Sequence, residues 1–253
     1  MLARLRRATR THANPVFYAD RVRDLLAAQP ERLEALLHDP RSVDMLTWNV
    51  FATMDSDPDR DYLGTLLQPL VGSDLRAPLR LTLWTGRHRE PLLQPSAAYV
   101  GQLRDRVGEG DELALYTTPI EAPLRIDSPD VLALVDTALD TAPRGAGGRD
   151  RLVELVDAGL EHARHLSTTL VVAVIHPAGT QTAAELSARL NALRDPQRLA
   201  EALPWRENVP EVRFRETSWQ ELIRRWERER DHYRLFGQPV RAFLEHATAL
   251  GLR

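Results

Sequence analysis

The longest unbroken apolar stretch in this chain, Leu170 to Ile175, is only as long as a strand. No run approaches the eighteen or so residues that a membrane-spanning helix needs. The apolar side chains must therefore be buried by packing short elements on one another. Val131 to Val135 is a second run of the same kind. Continuous short runs suit central strands that are covered on both faces by helices. With 253 residues and 43% hydrophobic content, the chain is long enough to bury a sizeable core. The expected fold class is α/β (or α+β), with a small central mixed sheet flanked by helices and with helical extensions at both ends.

Local signals place the other elements. Asn14-Pro15 predicts the start of a first helix, with Asn14 as its cap and Phe17, Val22, Leu25 and Leu26 at helical spacing. Further helices are expected over Glu31–Leu37, through Met45 to Phe51, and over Tyr62–Val71; the third ends at the acidic turn Asp55-Ser56-Asp57-Pro58-Asp59. Leu79–Trp84 alternates as a strand does, and Glu112–Tyr116 and Leu124–Ile126 are also strand-like. Arg151–His165 reads as an amphipathic helix and Thr169–Ile175 as a strand. Thr182 with Glu185, and Ser218 with Glu221, read as capping boxes. Asp195-Pro196 opens another helix, Val212-Arg213-Phe214 reads as an edge strand, and Val240–Leu250 as the last helix. The organisation expected is a helical extension over 1–43, a core over 44–215 and a helical hairpin over 216–253.

Charge and composition exclude several chemistries. All 33 Lys+Arg positions are arginine, and there is no cysteine. Schiff-base lysines, P-loop lysines, thiolate metal sites, disulfides and cysteine nucleophiles are all absent. Arginine replaces the charge of lysine but not its compact, tunable ammonium. The net charge of −3 weighs against a dedicated nucleic-acid binder, which carries a basic excess. The opening MLARLRRATR lacks an apolar signal core, so a cytoplasmic protein without a secretory signal is expected.

The informative segment runs from Pro119 to Leu139, PIEAPLRIDSPDVLALVDTAL. It reads as a β-hairpin in which residues 121, 123, 125 and 127 share one face of the first strand and 136 and 138 one face of the second. In this segment the chain resembles the PD-(D/E)XK nuclease superfamily, the restriction-endonuclease-like fold. The resemblance covers roughly residues 44 to 175. Leu46-Thr47-Trp48-Asn49-Val50-Phe51 resembles the opening helix, Leu83-Trp84 a strand before the hairpin, Arg149-Asp150-Arg151-Leu152 with Asp157-Ala158-Gly159 the crossover helix, and Leu170–Ile175 the following strand.

The resemblance implies two metal-binding acids and a lysine. Carried over by position, the first acid falls on Pro123, the second on Asp136 and the lysine on Ala138. A lone Asp136 offers one ligand, whereas Mg²⁺ in such sites is held by one or two carboxylates with water and phosphate. Proline offers no carboxylate, and alanine neutralises no developing charge, a loss of roughly 3–4 kcal/mol of transition-state stabilisation for each electrostatic group. No metal or other cofactor is expected. Rescue by neighbours would draw on Glu121, Arg125, Asp127 and Asp44. The expectation is thus a degenerate, catalytically inactive member that serves as a structural, regulatory or DNA-holding subunit, in bacterial DNA repair or antiphage defence by analogy. The alternative is an active Mg²⁺-dependent DNA endonuclease with a rearranged site.

Other signals are weaker. Arg213, Arg215, Arg224, Arg225, Arg228, Arg230 and Arg234 form the densest basic run, interleaved with Phe214, Trp219, Trp226 and Tyr233. This mixture suits a nucleic-acid backbone or a protein partner. The acids Glu221, Glu227, Glu229 and Asp231 equally suit ion pairs along a helix. A protein partner is expected, DNA is the other possibility, and no membrane association is expected. Arg144-Gly145-Ala146-Gly147-Gly148 reads as a plain loop, since no lysine follows it. His162 and His165 read as exposed helix histidines and His176 as structural, and Ser42, Ser96 and Ser128 show no nucleophile-elbow context.

Overall fold

The computed structural model describes residues 14–57, 60–72, 75–87, 89–108, 110–145, 149–231 and 235–253. The opening MLARLRRATR, Pro58-Asp59, Ala146 to Gly148, and Tyr233-Arg234 of the basic run lie outside the described residues. In chain order the elements are α1 (Ala19–Leu25), α2 (Pro30–His38), α3 (Val43–Asp55), α4 (Arg60–Val71), β1 (Arg80–Thr85), α5 (Ala97–Val107) and α6 (Asp111–Thr117). Then come β2 (Ala122–Asp127), β3 (Val131–Thr137), α7 (Arg151–Leu166), β4 (Thr169–His176), α8 (Gln181–Leu193), α9 (Pro196–Ala202), β5 (Val212–Ser218), α10 (Trp219–Arg228) and α11 (Gln238–Ala249).

The architecture is a mixed α/β one. Five strands form one sheet in the order β1-β2-β3-β4-β5. β1, β2 and β3 are antiparallel neighbours, while β3–β4 and β4–β5 are parallel. All seven residues of β3 are buried, as a strand covered on both faces requires.

The sheet separates two apolar layers. On one side Leu124, Ile126, Ala133, Val135, Ala173 and Ile175 pack with side chains of α3, α4, α10 and α11. On the other, Leu132, Leu134, Leu170, Val172, Val174 and Phe214 pack with α7, α8 and α9. Val22 and Leu36 from the N-terminal segment and Trp226 and Phe243 from the C-terminal one belong to the same cluster as α3 and α4. Among the described residues, segments 14–43, 44–215 and 216–253 therefore all contribute to this cluster. Among the described residues no helix is long and apolar enough to cross a membrane.

Several local expectations are corrected. Glu112–Tyr116 lies in helix α6, not in a strand. Thr180, not Thr182, caps α8 by accepting from the Ala183 amide at 3.1 Å. Thr182 instead donates to the Asp140 carbonyl at 2.9 Å. Asn14 caps no helix; it is buried, and its side-chain amide donates to the carbonyls of Leu36 and Asp39 at 2.9 and 2.7 Å. Other caps form as their residue types favour. Asp150 accepts from the Leu152 and Val153 amides at the start of α7, and Ser218 from the Glu221 amide at the start of α10.

Candidate functional site

The hairpin register pairs Leu124 with Val135 and Arg125 with Leu134. Pro123 and Asp136, one residue further along each strand, lie just beyond this paired register. Pro123 is half-buried, while Asp136 and Ala138 are buried at the end of β3. The carboxylate of Asp136 is already engaged. Its Oδ2 lies 3.2 Å from Nε of Arg151, the first residue of α7, and its Oδ1 accepts from the Thr137 amide at 3.1 Å. Arg151 also donates to the Glu121 carbonyl. At Ala138 the backbone is consumed: its amide donates to the Ile175 carbonyl at 2.8 Å, and its carbonyl accepts from the Trp219 indole at 2.8 Å.

The neighbouring acids are held in the same way. Arg32, on α2, donates through Nε and Nη2 to both oxygens of Asp44 at 2.6 and 2.8 Å, and through Nη1 to Glu121 Oε2 at 2.7 Å. Its guanidinium also stacks on the ring of Trp84, 4.7 Å from the centroid, and Trp84 stacks on Trp48 at 5.5 Å. Burial works against the Arg32 cation. The hydrogen bonds and charges of Asp44 and Glu121 outweigh it and hold the group charged more firmly than a free arginine. Within β2, Arg125 donates through Nε and Nη2 to Asp127 at 2.7–2.9 Å.

Every acid expected in the cleft is thus paired with an arginine, Asp44 and Glu121 sharing one. A hard divalent cation needs several converging oxygens. Among the described residues no group of three or more His, Cys, Asp or Glu side chains is placed to hold a metal ion. The residues present do not fit a bound Mg²⁺. A metal would first have to displace guanidiniums from partly buried ion pairs, whose rupture costs about 3–5 kcal/mol when fully buried.

The basic run is dispersed. Arg225 and Arg224 both pair with Glu221, at 2.8 and 3.1 Å, and Arg213 lies 3.4 Å from Glu211. Arg215 and Arg228 are exposed, and the Arg215 guanidinium lies beside Gly72. Trp226 requires correction as a binding residue. It is fully buried, its indole donates to Thr53 Oγ1 at 2.6 Å, and it packs edge-on against Phe243. No face of it is left to stack on a base or meet a partner.

The remaining candidates have local duties. His162 is half-buried rather than exposed, with Nε2 bonded to the Leu92 carbonyl at 2.8 Å; His165 is exposed, and His176 is buried 3.5 Å from Glu216. Ser42 and Ser96 cap α3 and α5, and Ser128 bonds Val131 in the β2–β3 turn. The residue that sequence reasoning misses is Arg32. It stands in the second helix of the N-terminal extension, and no motif marks it. Only Glu31–Leu37 as a helix opposite an acid-bearing segment would have hinted at it. Compared with family models, with curated proteins and with solved structures, the chain matches none of them.

Proposed function

We propose that this chain is a non-catalytic protein on a nuclease-like core, and that its role is to hold a protein partner. The observation that carries this reading is the pairing of every candidate acid with an arginine: Asp136 with Arg151, Asp44 and Glu121 with Arg32, and Asp127 with Arg125. Electrostatic catalysis of phosphoryl transfer needs preorganised charge free to meet the reacting group. Here that charge is spent within the protein. The chain order α3, α4, β1, α5, α6, β2, β3, α7, β4 keeps an opening helix, a hairpin, a crossover helix and a following strand in sequence, with α4, α5 and α6 added between them.

A protein partner suits the surface better than DNA does. The net charge is −3, the strongest basic run shares its charge with Glu211 and Glu221, and Trp226 is withdrawn into the core. Duplex binding draws most of its affinity from uncompensated cations on phosphates. The test is a cleavage assay on plasmid and single-stranded DNA with Mg²⁺ or Mn²⁺, together with binding measured against salt. Expected are no cutting and no salt-dependent DNA affinity. Metal-dependent cutting that disappears in Asp136→Ala overturns the reading in favour of an active endonuclease. Binding that weakens steeply with salt overturns the protein-partner assignment in favour of a DNA-holding role.

A further inference from the structure

Away from the hairpin, α5, α7, α8 and α9 enclose a cavity of about 710 Å³. We propose that it binds a small, neutral, flat heteroaromatic molecule of about nucleoside size. This inference does not depend on the role proposed above. The volume falls in the range of small-molecule sites, about 300–1,000 Å³. The case for a ligand comes from how the walls are held.

One buried carboxylate, Asp157 on α7, fixes the walls on two sides. Its Oδ2 accepts from the Ser96 amide at 2.8 Å, and Ser96 is the cap of α5. Its Oδ1 accepts from the Trp205 indole and from Arg206 Nε, both at 2.8 Å. A second charged group orients the other aromatic ring: Arg149 donates to the Tyr99 hydroxyl at 2.8 Å and pairs with Glu154. Tyr99 and Trp205 meet with ring centroids 4.6 Å apart and tilted by 50°, so they form one angled aromatic wall. Val153, Ala158 and Ile120 supply apolar lining. Buried ions are costly, and as packing material they are commonly no better than apolar residues of the same size. Here they preorganise two aromatic faces beside an open volume, which is how binding sites are supported.

The charges on the lining select the ligand's own charge. Arg149 is balanced by Glu154, Arg189 by Asp150, and Asp157 by Arg206. Asp105 and Arg106, adjacent on α5, bring one charge of each sign to the rim. No net charge is left over for a phosphate or an ammonium. What remains are aromatic faces for stacking and paired donors and acceptors, with Gln102 among them, for the edges of a polar ring.

Trp205 reports on the site. The chain has five tryptophans; Trp48, Trp84, Trp219 and Trp226 are fully buried, and Trp205 is half-buried. Collisional quenching of tryptophan emission by acrylamide therefore acts mainly on Trp205. Adenosine and uridine are the probes, with ribose as a control without a ring and adenosine 5′-monophosphate as a charged one. Expected is saturable protection of Trp205 by at least one nucleoside, none by ribose, and no tighter binding by the monophosphate than by adenosine. Ala202→Phe, at the half-exposed rim, should keep the wild-type melting temperature and weaken protection by about tenfold or more, the equivalent of one lost stack. Absence of protection by both nucleosides overturns the proposal. So does unchanged binding in folded Ala202→Phe, or binding of the monophosphate without binding of adenosine.

Discussion

The guanidinium of Arg32 grips both oxygens of Asp44, at 2.6 and 2.8 Å, while its third nitrogen reaches Glu121 at 2.7 Å. Removing it leaves two partly buried carboxylates facing each other. Arg32→Ala should cost roughly 2–3 kcal/mol in urea unfolding, below the about 3–5 kcal/mol of a fully buried broken pair, because the three side chains keep 18–24% of their surface exposed. Millimolar Mn²⁺ should raise the melting temperature of the variant and leave that of the wild type unchanged. An equal response in both proteins would show that Arg32 does not compensate these acids.

Trp226 and Arg228 stand two residues apart with opposite expected behaviour. Trp226→Ala empties a fully buried site and removes the indole that donates to the Thr53 hydroxyl, at a cost of roughly 3–5 kcal/mol. Arg228→Ala changes an exposed position and should stay within about 0.5 kcal/mol. Denaturant midpoints at constant slope check both.

Gly159 sits in the middle of α7, where alanine normally stabilises a helix by about 1 kcal/mol. A Cβ there would meet Leu170 Cδ1 at 2.8 Å and Leu134 Cδ1 at 3.0 Å. Overpacking costs about 1–3 kcal/mol, so it outweighs the propensity gain. Gly159→Ala should be less stable than wild type by roughly 1 kcal/mol, and a rise in its unfolding midpoint would contradict the packing of α7 on β3 and β4.

His162 is held below the ordinary histidine value near 6.5, first by burial and then by the nearby Arg125 and His165 cations; the Leu92 carbonyl and Asp127 act against the shift. In the unfolded chain the ring takes a proton at a higher pH than in the fold. The unfolded state then binds more protons, and stability falls as pH drops below about 6.5. His162→Gln should flatten that slope between about pH 6.5 and the lowered folded value. Unfolding measured across this window in both proteins is the check; parallel curves would count against it.

The central sheet was legible because β3 and β4 are continuous apolar runs, and their burial on both faces is what such runs imply. Glu112–Tyr116 reads as a strand because Leu113-Ala114-Leu115-Tyr116 is an apolar run too short to separate the two periods, whereas in the helix Leu113 packs with Tyr99 and Leu103. Helix α5 passed unread since its buried positions are only Tyr99 and Leu103. Asn14 had the residue type of a cap, but its partners lie 22 and 25 positions away. The arginine partners of the acids were not legible, because Arg32 and Glu121 are 89 positions apart.

Arg32 and Arg151 reach the end of the hairpin from different helices, α2 and α7. A carboxylate placed at position 123 and an amine at 138 would arrive among acids that already have arginine partners. Turning this end of the hairpin into a metal site would also require both guanidiniums to go, and each departure alone strands a partly buried charge. Single substitutions toward metal binding therefore each lower stability before any ligand is gained.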